Sequence, residues 1–92
     1  MILIKITAAL FIFVPMMTVY KNVSGASGIT HYEVDEDYVA VKFNGEPRVY
    51  YYSSVHIPRH HIEKMKMFAV SGKGLATYIN KNPEVRNNAT IQ

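Results

Sequence analysis

Asn44-Gly45, set between Tyr38-Val-Ala-Val-Lys-Phe43 and Arg48-Val-Tyr-Tyr-Tyr52, is the strongest constraint in this sequence. Both turn residues tolerate the positive φ angles of tight hairpins, and each flanking run is rich in β-branched and aromatic side chains. An antiparallel hairpin follows. Alternation along the first run sets Val39, Val41 and Phe43 on one face, expected to be buried. Pro47 falls at the mouth of the second strand, where a missing N–H is least costly. Upstream, Ile29, Tyr32 and Val34 predict another strand, ended by the turn-forming and well-solvated Asp35-Glu36-Asp37.

Downstream the period changes. Pro58 suits a helix start, and from Arg59 to Val70 the helical spacing gathers Ile62, Met65, Phe68 and Ala69 into one stripe, with His61 at its edge. The opposite face carries Arg59, His60, Glu63, Lys64 and Lys66, with Arg59 and Glu63 spaced to pair one turn apart. Ser71-Gly72 ends this helix, Gly72 being able to take the left-handed conformation. Leu75, Tyr78 and Ile79 make the stripe of a second, shorter helix, which Pro83 stops. Glu84 to Gln92 is polar and predicts a flexible tail. The expected fold is α+β: a three-stranded antiparallel β-meander followed by two short helices packed on one face, spanning residues 28–82.

With 92 residues there is material for one core. The chain has no cysteine, so it has no disulfide framework, thiolate metal site or thiol nucleophile. A core this small must rely on packing or on association, and a homodimer is the expectation. Residues 1–27 are an apolar segment followed by a small-residue linker. The apolar part admits three readings: a secretory signal cleaved near residue 26, an upstream extension of a chain that starts at Met17, or an extra packed element. Its uninterrupted apolar portion, Ala8 to Met17, is too short for a comfortable membrane span, so the folded domain is expected off the membrane. Cytoplasmic location is expected, with export as the alternative if residues 1–26 are cleaved.

The formal charge of +3 conceals two halves of opposite sign. Residues 28–47 hold five acids against Lys42 alone, whereas residues 48–92 hold seven bases against Glu63 and Glu84. A phosphate-bearing partner would meet the second half.

Tyr38-Val-Ala-Val-Lys-Phe43, Asn44-Gly45, Val49-Tyr50-Tyr51-Tyr52-Ser-Ser-Val55 and the later Ala69, Ser71-Gly-Lys-Gly74 and Ile79 together resemble the KTSC domain. That family takes its name from its occurrence at the C-terminus of some lysyl-tRNA synthetases. The resemblance covers Ser27 to about Lys81. It implies a strand, a glycine turn, a Tyr-x-Tyr strand and helices, with RNA binding as the suggested role in a family of unknown function. This chain has no synthetase domain.

Tyr50 and Tyr52 share one face of their strand and could stack on unpaired bases beside Arg48, although packing into the core is the commoner fate of such rings. Tyr51 takes the other face. Because helices can cover only one side, either Tyr51 or the Tyr50 and Tyr52 pair is left open. Ser71-Gly-Lys-Gly74 offers backbone N–H groups and Lys73 to a phosphate, but it lacks the full phosphate-loop pattern and reads first as a helix-to-helix turn. His56, His60 and His61 lack the companions a metal site needs, so no metal or cofactor is expected. No nucleophile and base pairing is recognisable, which argues against an enzyme. The expectation is a small non-catalytic module that binds RNA or another nucleotide ligand through Arg48, Tyr50, Tyr52, Arg59, Lys64, Lys66 and Lys73. The rival is an adaptor or inhibitor, such as a phage or accessory protein, whose exposed Tyr and Met side chains dock on a larger protein.

Overall fold

Ile29 and Tyr32 stand three apart, a spacing that plain alternation puts on opposite faces of a strand. In the computed structural model, which describes residues 17–92, both face the core because the strand register shifts between Ile29 and His31. Thr30 is the extra residue of that β-bulge, and its hydroxyl donates to the Lys42 carbonyl oxygen at 3.2 Å.

The described chain runs β1 (Thr18–Val19), β2 (Ile29–Val34), β3 (Tyr38–Phe43), β4 (Val49–Ser53), α1 (Arg59–Ser71), α2 (Leu75–Lys81), α3 (Pro83–Arg86) and β5 (Thr90–Ile91). All five strands pair antiparallel with their sequence neighbours, in the order β1-β2-β3-β4-β5. The α+β class with an antiparallel sheet and short helices is therefore observed. The expected meander is β2-β3-β4, and the sheet exceeds it by β1 and β5, two residues each and too short for any periodicity to announce.

The expected flexible tail is instead structured. Pro83 does end α2, yet it also opens α3, where its lost N–H costs nothing at a helix's first position. Val85 is buried, and Gln92 exchanges two backbone hydrogen bonds with Val49, at 2.8 and 2.9 Å. The linker at the other end is also part of the domain. Tyr20 lies in the core, Val23 N–H donates to the Gly72 carbonyl oxygen, and Asn22 Oδ1 accepts from the Ser27 backbone and hydroxyl. The readings of residues 1–16 fall outside the described residues. No described helix is long and apolar enough to cross a membrane.

The Asn44-Gly45 turn is looser than the tightest hairpin. Only Gly45 takes a positive φ, of 79°, and the Glu46 N–H closes the turn on the Phe43 carbonyl oxygen. Helix α1 ends as expected: Gly72 is left-handed, and its N–H reaches the carbonyl oxygens of Phe68 and Ala69.

One layer of helices covers one face of the sheet. Val39 and Val41 of β3 and Tyr52 of β4 meet Ile62, Met65 and Ala69 of α1, with Leu75 and Ile79 of α2 and Val85 of α3 closing the core. Truncating a fully enclosed side chain such as Ile62 to Ala would cost about 2–5 kcal/mol, since neighbours relax only partly into the void.

Candidate nucleic-acid interface

The strand register decides which tyrosines are available. Tyr52 stands opposite Val39 and Tyr50 opposite Val41, so both point toward the helices. Tyr52 is only 2% exposed, and burial, with a smaller effect from Tyr50, pushes its phenol up to about 12. It cannot offer a ring face to a base, which corrects the expected role of Tyr52. Tyr50 is half-buried, edge-on to Phe43 at 5.2 Å between centroids, and its hydroxyl donates to Glu46 Oε2. Arg48 pairs with the same carboxylate at 3.2 Å, and that hydrogen bond holds the Glu46 carboxyl below its ordinary range.

The helical cations are also committed. Arg59 pairs with Asp37 and Glu63 and donates to the Glu36 carbonyl oxygen. Lys66 donates to the same carbonyl oxygen at 2.7 Å and to Glu63 at 3.1 Å. The outward basic face expected of α1 is thus folded onto the acidic turn between β2 and β3, with opposite charges of the two halves meeting inside the molecule. Lys64 and Lys73 are exposed and have no ion-pair partner among the described residues. The seven expected residues do not form one surface. Arg48 sits at one end of β3 and the partners of Arg59 and Lys66 at the other, roughly 20 Å apart for a six-residue strand.

The opposite face of the sheet carries no residue of the core cluster, and no described helix packs its core side chains there. Its side chains follow from the same register: His31 opposite Lys42, Glu33 opposite Ala40, Ala40 opposite Tyr51, Tyr38 opposite Ser53, and Thr90 beside Tyr51. Tyr38 and Tyr51 are half-exposed, with rings 5.5 Å apart and tilted by 59°. Between them and Glu33, Ala40 is fully buried.

Two depressions lie here and share Tyr51 and Gln92. The larger, about 590 Å³, is lined by Met17, His31, Lys42, Pro47, Val49, Tyr51 and Gln92. The smaller, about 280 Å³, runs past Tyr38, Tyr51, Ser53 and His56. Charge is graded along the face. Lys42 and His31 mark one end. At the other, burial, Glu33 and Asp35, in that order, raise the Tyr38 phenol. Lys42 Nζ donates to the Glu46 carbonyl oxygen at 2.6 Å, which fixes the ammonium while leaving two donors.

A second polar cluster ties the helices together. His61 is 7% exposed, with Nδ1 2.6 Å from Tyr78 Oη and Nε2 2.9 Å from Glu84 Oε1. A carboxylate only accepts, so Nε2 carries a proton donated to Glu84, leaving Nδ1 to accept from the Tyr78 hydroxyl in the neutral ring. Burial and the Glu84 charge raise the Tyr78 phenol, the opposite of what activates a nucleophile. What the arrangement does is brace α1, α2 and the start of α3. Sequence showed His61 at the edge of a stripe, and only the presence of Tyr78 on the next helix's stripe hinted at its partner. Among the described residues no three metal-ligating side chains converge.

No protein-family model, curated protein or solved structure matches this chain.

Proposed function

We propose that the protein is a small non-catalytic module that binds RNA or another nucleotide ligand on the face of its sheet that no described helix covers. The observation that carries this is Tyr51, half-exposed between two depressions and paired with Tyr38, with Lys42 and His31 at the near end of the larger one. An antiparallel sheet roofed on one side presents regularly spaced side chains on the other, and aromatic rings so placed stack on unpaired bases for about 1–3 kcal/mol each. The resemblance to the KTSC domain points the same way. The contact set moves from the helical cations to Tyr51, Tyr38, Lys42 and His31, because Arg59 and Lys66 are already paired.

Titration of a labelled single-stranded RNA decamer and of AMP tests it. Binding by either, weakened at least about fivefold by Tyr51→Ala, is expected, since a lost stack is worth about 1–3 kcal/mol. Absence of binding to both at low salt refutes it.

Docking on a larger protein is a second reading, and its support lies in α1. Met67 and Val70 are 69% and 58% exposed on the outer side of that helix, where methionine is favoured at interaction surfaces. A complex from the native host that survives nuclease and high salt and is lost in Met67→Lys would establish it.

A further inference from the structure

We infer that the larger depression is a site for a single nucleoside monophosphate, with the phosphate at Lys42 and His31 and the base over Tyr51. This rests on the nucleotide-binding reading above and narrows its ligand.

A single strand that tracks a surface needs a run of basic side chains, one for each phosphate it neutralises. Among the described residues this face offers one standing cation, Lys42, and beside it the imidazole of its cross-strand neighbour His31 as a further hydrogen-bonding group. They can serve one phosphate. Past this end the sign reverses: Glu33 lies on the same face level with Tyr51, two strands away across Ala40, and the Asp35-Glu36-Asp37 turn follows it. A second phosphate continuing along the sheet would approach those carboxylates and be repelled.

Shape agrees with charge. The depression's volume, about 590 Å³, falls within the range of small-molecule sites, roughly 300–1,000 Å³. Among the described residues it contains one aromatic platform, Tyr51, and one side-chain amide, Gln92, able to donate to and accept from a base edge. Neighbouring residues on one face of a strand lie roughly 7 Å apart, and Lys42 stands opposite Val49, one such step from Tyr51, about the reach from a base to its own phosphate. Lys42 is held in place by the Glu46 carbonyl oxygen before any ligand arrives.

The test is a titration of the full chain, followed by amide chemical shifts and by displacement of a labelled RNA decamer, with AMP, adenosine and the unlabelled decamer as competitors. AMP is expected to bind about as tightly as the decamer, within tenfold, and to displace it. Its affinity should fall with salt far less steeply than that of a strand contacted at several phosphates, because a free monophosphate has no condensed counterion atmosphere to release. Adenosine should bind at least fivefold more weakly, and Lys42→Gln should erase that difference while Tyr51→Leu weakens AMP and adenosine alike. AMP-dependent shifts should centre on His31, Lys42, Tyr51 and Gln92 in the unmodified protein, a readout independent of whether a variant folds. AMP binding without decamer binding also supports the inference. A decamer that binds with a slope steeper than about −2 and is not displaced by millimolar AMP overturns it and leaves the broader reading standing. Failure of both ligands to bind overturns both.

Discussion

The Lys66 ammonium donates to the Glu36 carbonyl oxygen at 2.7 Å, so a helical cation that the sequence offers to solvent is consumed in joining α1 to the turn between β2 and β3. Lys66→Gln is therefore expected to lower stability by about 0.5–1 kcal/mol, as for a partly exposed pair within a small network. It should leave nucleotide affinity within about twofold, because the side chain is not on the sheet's open face. Urea denaturation and the AMP titration on the same variant check the two halves of that statement.

His61 has both ring nitrogens engaged in a nearly buried setting, and removing it leaves the part-buried Tyr78 hydroxyl without its partner, while the exposed Glu84 carboxylate turns to water. His61→Ala should cost about 2–4 kcal/mol through the lost contacts and the cavity. In a domain of this size that is a fall in Tm of more than about 8 °C. Glu84→Gln keeps an acceptor opposite Nε2 and should cost less than half as much. Thermal unfolding followed by circular dichroism separates the two variants.

Tyr52 supplies an alkaline limit to stability. Its folded-state pKa of about 12 lies above the ordinary value of 10.0, so the neutral phenol is favoured by folding. The contribution is complete below about pH 10 and is lost as pH rises toward 12, an amount of roughly 2–3 kcal/mol for two pH units. Denaturant midpoints between pH 9 and 11.5 should fall with this profile. In Tyr52→Phe the decline should be shallower, with only the raised phenols of Tyr38 and Tyr78 left to drive it.

Gly72 is left-handed, and an added Cβ would collide with the Lys21 side chain. Gly72→Ala should destabilise by about 1–3 kcal/mol, combining a strained φ with displacement of the N-terminal loop. Gly72→Ala combined with Lys21→Gly should recover part of that loss, measured as a double-variant cycle of unfolding free energies.

The hairpin and both longer helices were legible because Asn44-Gly45, the alternation of Val39 and Val41, and the stripe through Ile62, Met65 and Ala69 are local patterns. The bulge at Thr30 was hidden, since a shift of register is a property of two strands. Strands β1 and β5 each hold two residues, below the length at which a period exists. Which side of β4 stays open could not be read from β4 alone: alternation separates Tyr51 from Tyr50 and Tyr52, but the roof is chosen by the connection into α1. The opposite charges of the two halves did foreshadow contact between Arg59 and Asp37, and the sequence reading set them to work on an outside partner instead. His61, Tyr78 and Glu84 lie up to 23 residues apart and are joined only by helix packing.

The outermost strands β1 and β5 are each a single dipeptide, and this brevity has a consequence for how the protein behaves in a crowd. Neither margin offers a run long enough for another molecule to copy, while the five-residue segment Val49–Ser53 behind β5 is tyrosine-rich, uncharged and long enough to act as a template. Chain loss beyond Ala89 would remove the pairing of Thr90 and Ile91 with Tyr51 and Tyr50 and leave that segment as the sheet's margin.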